Sequence, residues 1–314
     1  MNILIFGAGA MGSVFGGFLS RDNSVTLIGR REHIKAINER GLTITGIWGE
    51  HIFTRLAAFT SVEQIPEHAS FDLIMITTKS YDTASAVKEV LPLVKEGTAV
   101  MSMQNGIGNE ELIASVVGKQ RTMGGMAIFG ARLLEPGCAE VTVYASECLV
   151  GDLEGGATPR AKEIASAFTH AGIPTKASDD IIREKWMKAF YNIALNPLSA
   201  ILRVPYGKLG EMPETRKLMR AMLREAFEVA NALGIHLKFT WEEYYTHLLE
   251  KLLPPTVSHI SSMLQDIERG KRTEIDYLNG AIVSLGKKLG IATPVNETIA
   301  EIVKALEQRG TKEI

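Results

Sequence analysis

Short apolar runs alternate with amphipathic stretches through the first half of the chain, and longer helical periods take over in the second. Residues 2–6, Asn-Ile-Leu-Ile-Phe, read as a buried strand, followed after a glycine-rich turn by an amphipathic helix through Leu19. Similar apolar runs predict strands at 24–28, 42–47, 51–57, 71–77, 99–103 and 122–128. On the later runs Met101, Met103, Met123 and Met126 alternate with small residues and read as core. Over 135–151 apolar and polar positions alternate (Val141, Val143, Leu149), which predicts antiparallel strands closing the same sheet. Beyond Ser178 the strand pattern stops, and helical periods predict helices at 180–196, 213–233, 240–253, 255–269 and 274–289. Pro197 should end or kink the first of these at Asn196, and Thr273 is the expected N-cap of the last, with Asp276 as a weak capping-box acid. The change of period sets a boundary at Ser178-Asp179, giving an α/β N-terminal domain over 1–178 and an all-α C-terminal domain over 179–314.

Composition narrows the function class. A chain of 314 residues with 46% hydrophobic and 22% charged residues is ordinary for a globular protein of two domains. Its 34 basic and 36 acidic residues balance to −2 with no block of like charge, so nucleic acid is not an expected partner. No apolar run reaches the roughly 18 residues of a membrane span, so no membrane partner is expected either. Cys138 and Cys148 match no metal or redox spacing, which predicts no metal site and a reducing, cytoplasmic location.

The turn after the first strand reads Gly7-Ala8-Gly9-Ala10-Met11-Gly12. Between a strand and a helix, this GxGxxG pattern has a mechanism. The first glycine makes the tight turn, the second lets backbone approach a pyrophosphate, and the third lets helix pack on strand. The helix N-terminus then offers unpaired N–H groups to the phosphates. The first domain is therefore expected to be Rossmann-like and to bind a dinucleotide through residues 7–12. After the second strand, where NAD sites place an acid, this chain has Gly29-Arg30-Arg31. Arg30 lies 18 positions beyond Gly12, and a guanidinium suits a 2′-phosphate, so NADP(H) is favoured over NAD. Lys79 and Asn105 follow later strands, at the strand ends that border the ligand crevice of such a sheet. A loop cation and an ordinary Asn-Gly turn would account for them equally well.

The helix at 180–196 carries an unusual polar line. Lys188, Asn192 and Asn196 stand at i, i+4 and i+8 on one face, while Trp186, Phe190, Ile193, Ala194 and Leu195 fill much of the rest. Buried amides and an ammonium need partners, so either a polar ligand lies along this seam or the stripe is solvated. Farther on, Glu274 stands in the first turn of an expected helix, and Ser258, Ser261, Ser262 and Asp266 form a polar face open to either reading.

With these motifs in hand, the chain resembles the ketopantoate reductase (2-dehydropantoate 2-reductase) family. The resemblance rests on GAGAMG, QNGIG, KAFYNIALNPLSA and SSMLQDIERGKRTEIDYLNG, which follow one another in the family's order over nearly the whole chain. It implies NADPH-dependent reduction of the small-molecule 2-keto acid 2-dehydropantoate to (R)-pantoate, a step of pantothenate and coenzyme A biosynthesis, with Lys188 as catalytic lysine and Glu274 beside it on the substrate hydroxyl. It also implies Asn192, Asn196 and Ser262 on the substrate and Asn105 between nicotinamide and substrate. Lys79 and Arg30 would lie on the cofactor side, and a homodimer through the helical half is implied as well. Thr78 before Lys79 and Tyr206 in Pro205-Tyr206-Gly207 depart from the family pattern without altering a functional position. The alternatives are a reductase of another 2-keto acid or an imine, and a non-catalytic NADP(H) sensor, which would have no use for Lys188 and Glu274.

Overall fold

The computed structural model describes residues 1–310. The chain forms two compact units: Met1–Gln104 with Asn109–Ile182, and Asn105–Gly108 with the chain from Arg183 onward.

In the first unit the strands are β1 (Asn2–Phe6), β2 (Ser24–Ile28), β3 (Leu42–Gly46), β4 (His51–Phe53), β5 (Ala57–Phe59) and β6 (Leu73–Ile76). They continue as β7 (Ala99–Ser102), β8 (Thr122–Met126), β9 (Phe129–Glu135), β10 (Cys138–Tyr144), β11 (Cys148–Asp152) and β12 (Thr175–Ala177). The helices of this unit are α1 (Ala10–Leu19), α2 (Arg31–Arg40), α3 (Thr83–Val90), α4 (Asn109–Val117) and α5 (Pro159–His170). The main sheet has eight strands in the order β12-β11-β8-β7-β6-β1-β2-β5. All its pairings are parallel except β11 against β8. Both faces are covered, which explains the unbroken apolar run of β1. Ile3 and Ile5 enter the core under α1, whereas Leu4 and Phe6 enter the core on the opposite face. Met101, Met103, Met123 and Met126 are all buried.

Two expectations for this unit are corrected. The predicted strand at 51–57 is two strands in two sheets: β4 pairs antiparallel with β3, and β5 pairs parallel with β2. Of the strands expected over 135–151 to close the main sheet, β11 does so, antiparallel against β8, whereas β10 pairs with β9 and β3 in a separate sheet of order β4-β3-β10-β9. The reason is α1, which is apolar except for Ser13 and buries every residue from Gly12 to Leu19. A second cover is needed, and Phe129, Ala139, Val141, Ile44 and Phe53 share one core cluster with Phe15 and Phe18.

The second unit is helical. After α6 (Ile181–Leu202) come α7 (Tyr206–Glu211), α8 (Pro213–Ala232), α9 (Trp241–His247), α10 (Ser262–Glu268), α11 (Asn279–Leu289) and α12 (Pro294–Gly310). Phe190 of α6 stacks on Phe227 of α8 at 4.1 Å between ring centroids, and Tyr244 of α9 meets Phe190 edge-on at 5.6 Å. The last three predicted helices are shorter than the periodicity implied. The segment 240–253 keeps its Thr240–Glu243 capping box but passes into a π-turn at Leu248–Leu252. In 255–269 only α10 is helical, begun by Ser261, whose hydroxyl accepts from Leu264 N at 3.0 Å. In 274–289 a 3-10 turn at Ile275–Tyr277 precedes α11. Asp276 is drawn off to Arg272 and Lys304 instead of closing a capping box.

The largest departure is at Pro197, which lies inside α6 and does not end it. A proline there leaves the carbonyl of Ile193 without its helical donor. Nδ2 of the fully buried Asn279 lies 3.4 Å from that oxygen and also donates to Asn296 Oδ1 at 2.9 Å. The buried amide stands in for the missing N–H, and the helix runs on to Leu202.

Candidate active site

The first unit builds a tight glycine turn at the end of β1. The chain leaves β1 through Gly7, whose φ of +112° only glycine adopts without strain. The carbonyl of Ile28, last in β2, accepts from Gly7 N at 3.0 Å and Ala8 N at 2.7 Å. This bond pair ties the glycine turn to the end of β2, so Arg30, two residues on, sits beside the turn. A Cβ on Gly12 would lie 2.4 Å from Gly7 O, so only glycine lets α1 start this close to the strand. Gly9 differs, because a Cβ there would meet only Gly7 O, at 3.9 Å. Gly9 is also the N-cap of α1, which has neither a side-chain cap nor an acid in its first turn. Open space over Gly9 and an uncapped helix N-terminus together suit a bound pyrophosphate.

The other residues expected on the cofactor side fall around this turn. β1 lies between β2 and β6, where the strand order reverses, and ligands of such sheets bind at that switch point. Lys79 follows β6 directly and is half-buried, with Thr77 Oγ1 before it bonded to Gly7 O at 2.9 Å. Arg30 is exposed and extended (φ −69°, ψ 145°) ahead of α2, and its guanidinium makes no hydrogen bond or ion pair among the described residues. Behind the turn, Ser13 Oγ is 2.9 Å from Nε2 of buried His33, while Gly137 N donates to His33 Nδ1 at 2.9 Å. Burial lowers the pKa of His33, which favours the neutral ring this pairing requires.

The second unit gathers the polar seam. Lys188 Nζ donates to Asn105 Oδ1 at 2.9 Å, joining α6 to the Asn105–Gly108 loop. Asn105 is neutral, so this bond aims the ammonium without cancelling its charge. The same loop is held by Ile107 N donating to Tyr277 O at 2.8 Å, which brings it against the turn that Glu274 opens. Glu274 is 8% exposed, and Thr273 before it is anchored by its backbone N–H to Glu307 at 2.7 Å. Along α6, Asn192 and Asn196 are 8% and 6% exposed, which excludes the solvated-stripe reading for both. The Asn192 carboxamide has no hydrogen-bond partner among the described residues, whereas Asn196 Oδ1 accepts from the Tyr206 hydroxyl. Ser261 Oγ lies 3.4 Å from Asn196 O, and this carries Ser262, exposed at the start of α10, toward the far end of the seam.

Sequence reasoning missed the residues that brace this line. Asn279 had one signal, since a proline in a helical pattern requires a replacement donor for the carbonyl it orphans. Tyr206 and Ser261 had none, because their bonds to Asn196 cross loops whose paths the pattern does not encode.

Comparison with known proteins decides the family. The model of ketopantoate reductase PanE/ApbA matches residues 3–155, and that of its C-terminal region matches residues 180–307. The chain belongs to the ketopantoate reductase family. As a family member it is an oxidoreductase. It is 41% identical to the 2-dehydropantoate 2-reductase of Aquifex aeolicus over 98% of this chain and 97% of that one. The solved 2-dehydropantoate 2-reductase of Geobacter metallireducens matches with a TM-score of 0.89 at 30% identity, covering 97% of this chain and 99% of that one. A D-mandelate dehydrogenase solved with NADH and anilino(oxo)acetate matches at the same TM-score with 31% identity and full coverage of both chains. Among the described residues no helix is long and apolar enough to cross a membrane, and neither Cys138 nor Cys148 forms a disulfide.

Proposed function

We propose that the protein reduces 2-dehydropantoate with NADPH: 2-dehydropantoate + NADPH + H⁺ gives (R)-pantoate + NADP⁺. The observation that carries this reading is the Lys188–Asn105 bond at the head of a buried line of carboxamides, in a chain of this family. A 2-keto acid offers only acceptors on its carboxylate and ketone, and Lys188, Asn192 and Asn196 supply donors at one-turn intervals. As charge builds on the ketone oxygen, the Lys188 ammonium stabilises it and then gives it a proton. Glu274 takes the substrate hydroxyl and Ser262 the carboxylate. NADPH, when bound, supplies the hydride. Residues 7–12 would hold its pyrophosphate, Arg30 its 2′-phosphate, Lys79 its inner side, and Asn105 would stand between nicotinamide and substrate. The absence of a disulfide at Cys138 and Cys148 fits a reducing, cytoplasmic setting, and a homodimer through the helical unit is part of the same reading. NADPH oxidation measured with and without ketopantoate tests the whole: no turnover on ketopantoate ends it.

The D-mandelate dehydrogenase match favours one second reading, a reductase of another 2-keto acid that uses NADH. Arg30 separates the two. A charge-assisted hydrogen bond contributes about 1.5–3 kcal/mol, so Arg30→Ala should weaken NADPH binding roughly 10- to 150-fold and leave NADH nearly unchanged. Equal losses for both cofactors would remove the 2′-phosphate assignment. A panel of 2-keto acids assayed in parallel ranks the substrates.

Asn192→Ala and Ser262→Ala are expected to raise KM for ketopantoate about tenfold each, the worth of one lost hydrogen bond to an anionic ligand. NADPH affinity, followed by its fluorescence, should stay within twofold or so on the same scale of energies. A large loss of NADPH affinity in either variant would place the seam against the cofactor instead.

A further inference from the structure

Tyr206 opens α7 and is 2% exposed. Three contacts from two segments hold its ring and backbone. Its N–H donates to His259 O at 3.1 Å, its ring meets Tyr191 edge-on at 5.6 Å, and the His259 ring lies 5.0 Å away. Tyr191 is itself fixed through its hydroxyl to Thr256 Oγ1 at 2.9 Å. From this fixed position the Tyr206 hydroxyl reaches one group, Oδ1 of Asn196. Burial raises the phenol pKa well above 10, so the hydroxyl keeps its proton at any working pH and acts here as the donor.

While the Asn196 oxygen accepts from this fixed hydroxyl, the carboxamide is held in one of its two orientations. Its two N–H groups are then committed to the opposite side, and among the described residues nothing accepts from Asn196 Nδ2. In water or a mobile pocket, an asparagine presents oxygen and nitrogen about equally, and half of those orientations would set an oxygen against an anionic substrate. We infer that Tyr206 is a positioning residue for substrate recognition: its hydroxyl fixes the flip of Asn196 so that Nδ2 alone faces the 2-keto acid. The inference rests on the substrate role given to Asn196 above.

The test is a double-mutant cycle on KM for ketopantoate, a readout insensitive to the fraction of protein folded. Tyr206→Phe keeps the ring and its packing and removes only the hydroxyl, and it should raise KM about tenfold, the worth of one oriented hydrogen bond. Asn196→Ala should raise KM by at least as much, and adding Tyr206→Phe to it should change nothing further, because the tyrosine acts only through that carboxamide. NADPH affinity should not follow either change. A wild-type KM in Tyr206→Phe beside a raised KM in Asn196→Ala would overturn the inference and leave the substrate role of Asn196 standing. So would a Tyr206→Phe effect that persists in full in the Asn196→Ala background, since the tyrosine would then reach substrate by another route. A wild-type KM in Asn196→Ala would remove the role of Asn196, and this inference with it.

Discussion

Lys188→Ala is expected to lower kcat for ketopantoate reduction by roughly 10²- to 10⁴-fold, the usual worth of a positioned general acid. Lys188 is half-buried on α6 and bonded to Asn105 Oδ1 at 2.9 Å. The truncated variant therefore loses a cation at the reacting oxygen and leaves Asn105 without this donor. The fold should survive, since the core of the unit is built from Phe190, Phe227 and Tyr244 on other faces. NADPH binding should survive too, because the proposed cofactor contacts are the glycine turn and Arg30. Lys188→Arg should rescue little, because a guanidinium keeps the charge but does not readily release a proton. Near-full activity in the arginine variant would show that charge alone suffices and that water delivers the proton. A wild-type kcat in Lys188→Ala would make the lysine structural and end the mechanism.

How far such a site can be read without coordinates differs between its parts, and the difference follows from the range of the interactions. The glycine turn is local: strand, turn and helix occupy consecutive residues, and β1 and α1 lie where the period placed them. The seam is local as well, because one helix face carries Lys188, Asn192 and Asn196, and the surrounding apolar residues already implied its burial. Strand partnership is not local. The alternation at 135–151 reports that one face is buried without saying against what: β11 closes the main sheet, but the cover demanded by an almost wholly apolar, buried α1 took β9 and β10 into a second sheet. Pro197 shows a local rule overruled by a distant residue, with Asn279 satisfying the carbonyl that the proline orphans. The predicted helices at 240–253 and 255–269 failed for a related reason. Apolar periodicity there continues across a π-turn and a Pro-Pro segment that the backbone does not follow as one helix.

Gly9 and Gly12 occur in one motif, yet alanine at each should produce opposite failures. At Gly12 the added methyl would lie 2.4 Å from Gly7 O and 2.7 Å from Thr77 Oγ1, so backbone has to move. Overpacking of this kind costs about 1–3 kcal/mol, and Gly12→Ala should lower Tm and NADPH affinity together as α1 is pushed off the strand. At Gly9 the methyl meets only Gly7 O at 3.9 Å, and φ −84°, ψ −159° is extended backbone that alanine adopts freely. Gly9→Ala should therefore keep the wild-type Tm. If the open space above it belongs to a pyrophosphate, the same 1–3 kcal/mol falls on the ligand alone, and NADPH affinity should drop roughly 5- to 150-fold. Melting curves beside fluorescence titrations with NADPH separate the two variants. Unchanged affinity in Gly9→Ala would mean that the phosphates bind elsewhere, and that this glycine serves the chain and not the cofactor.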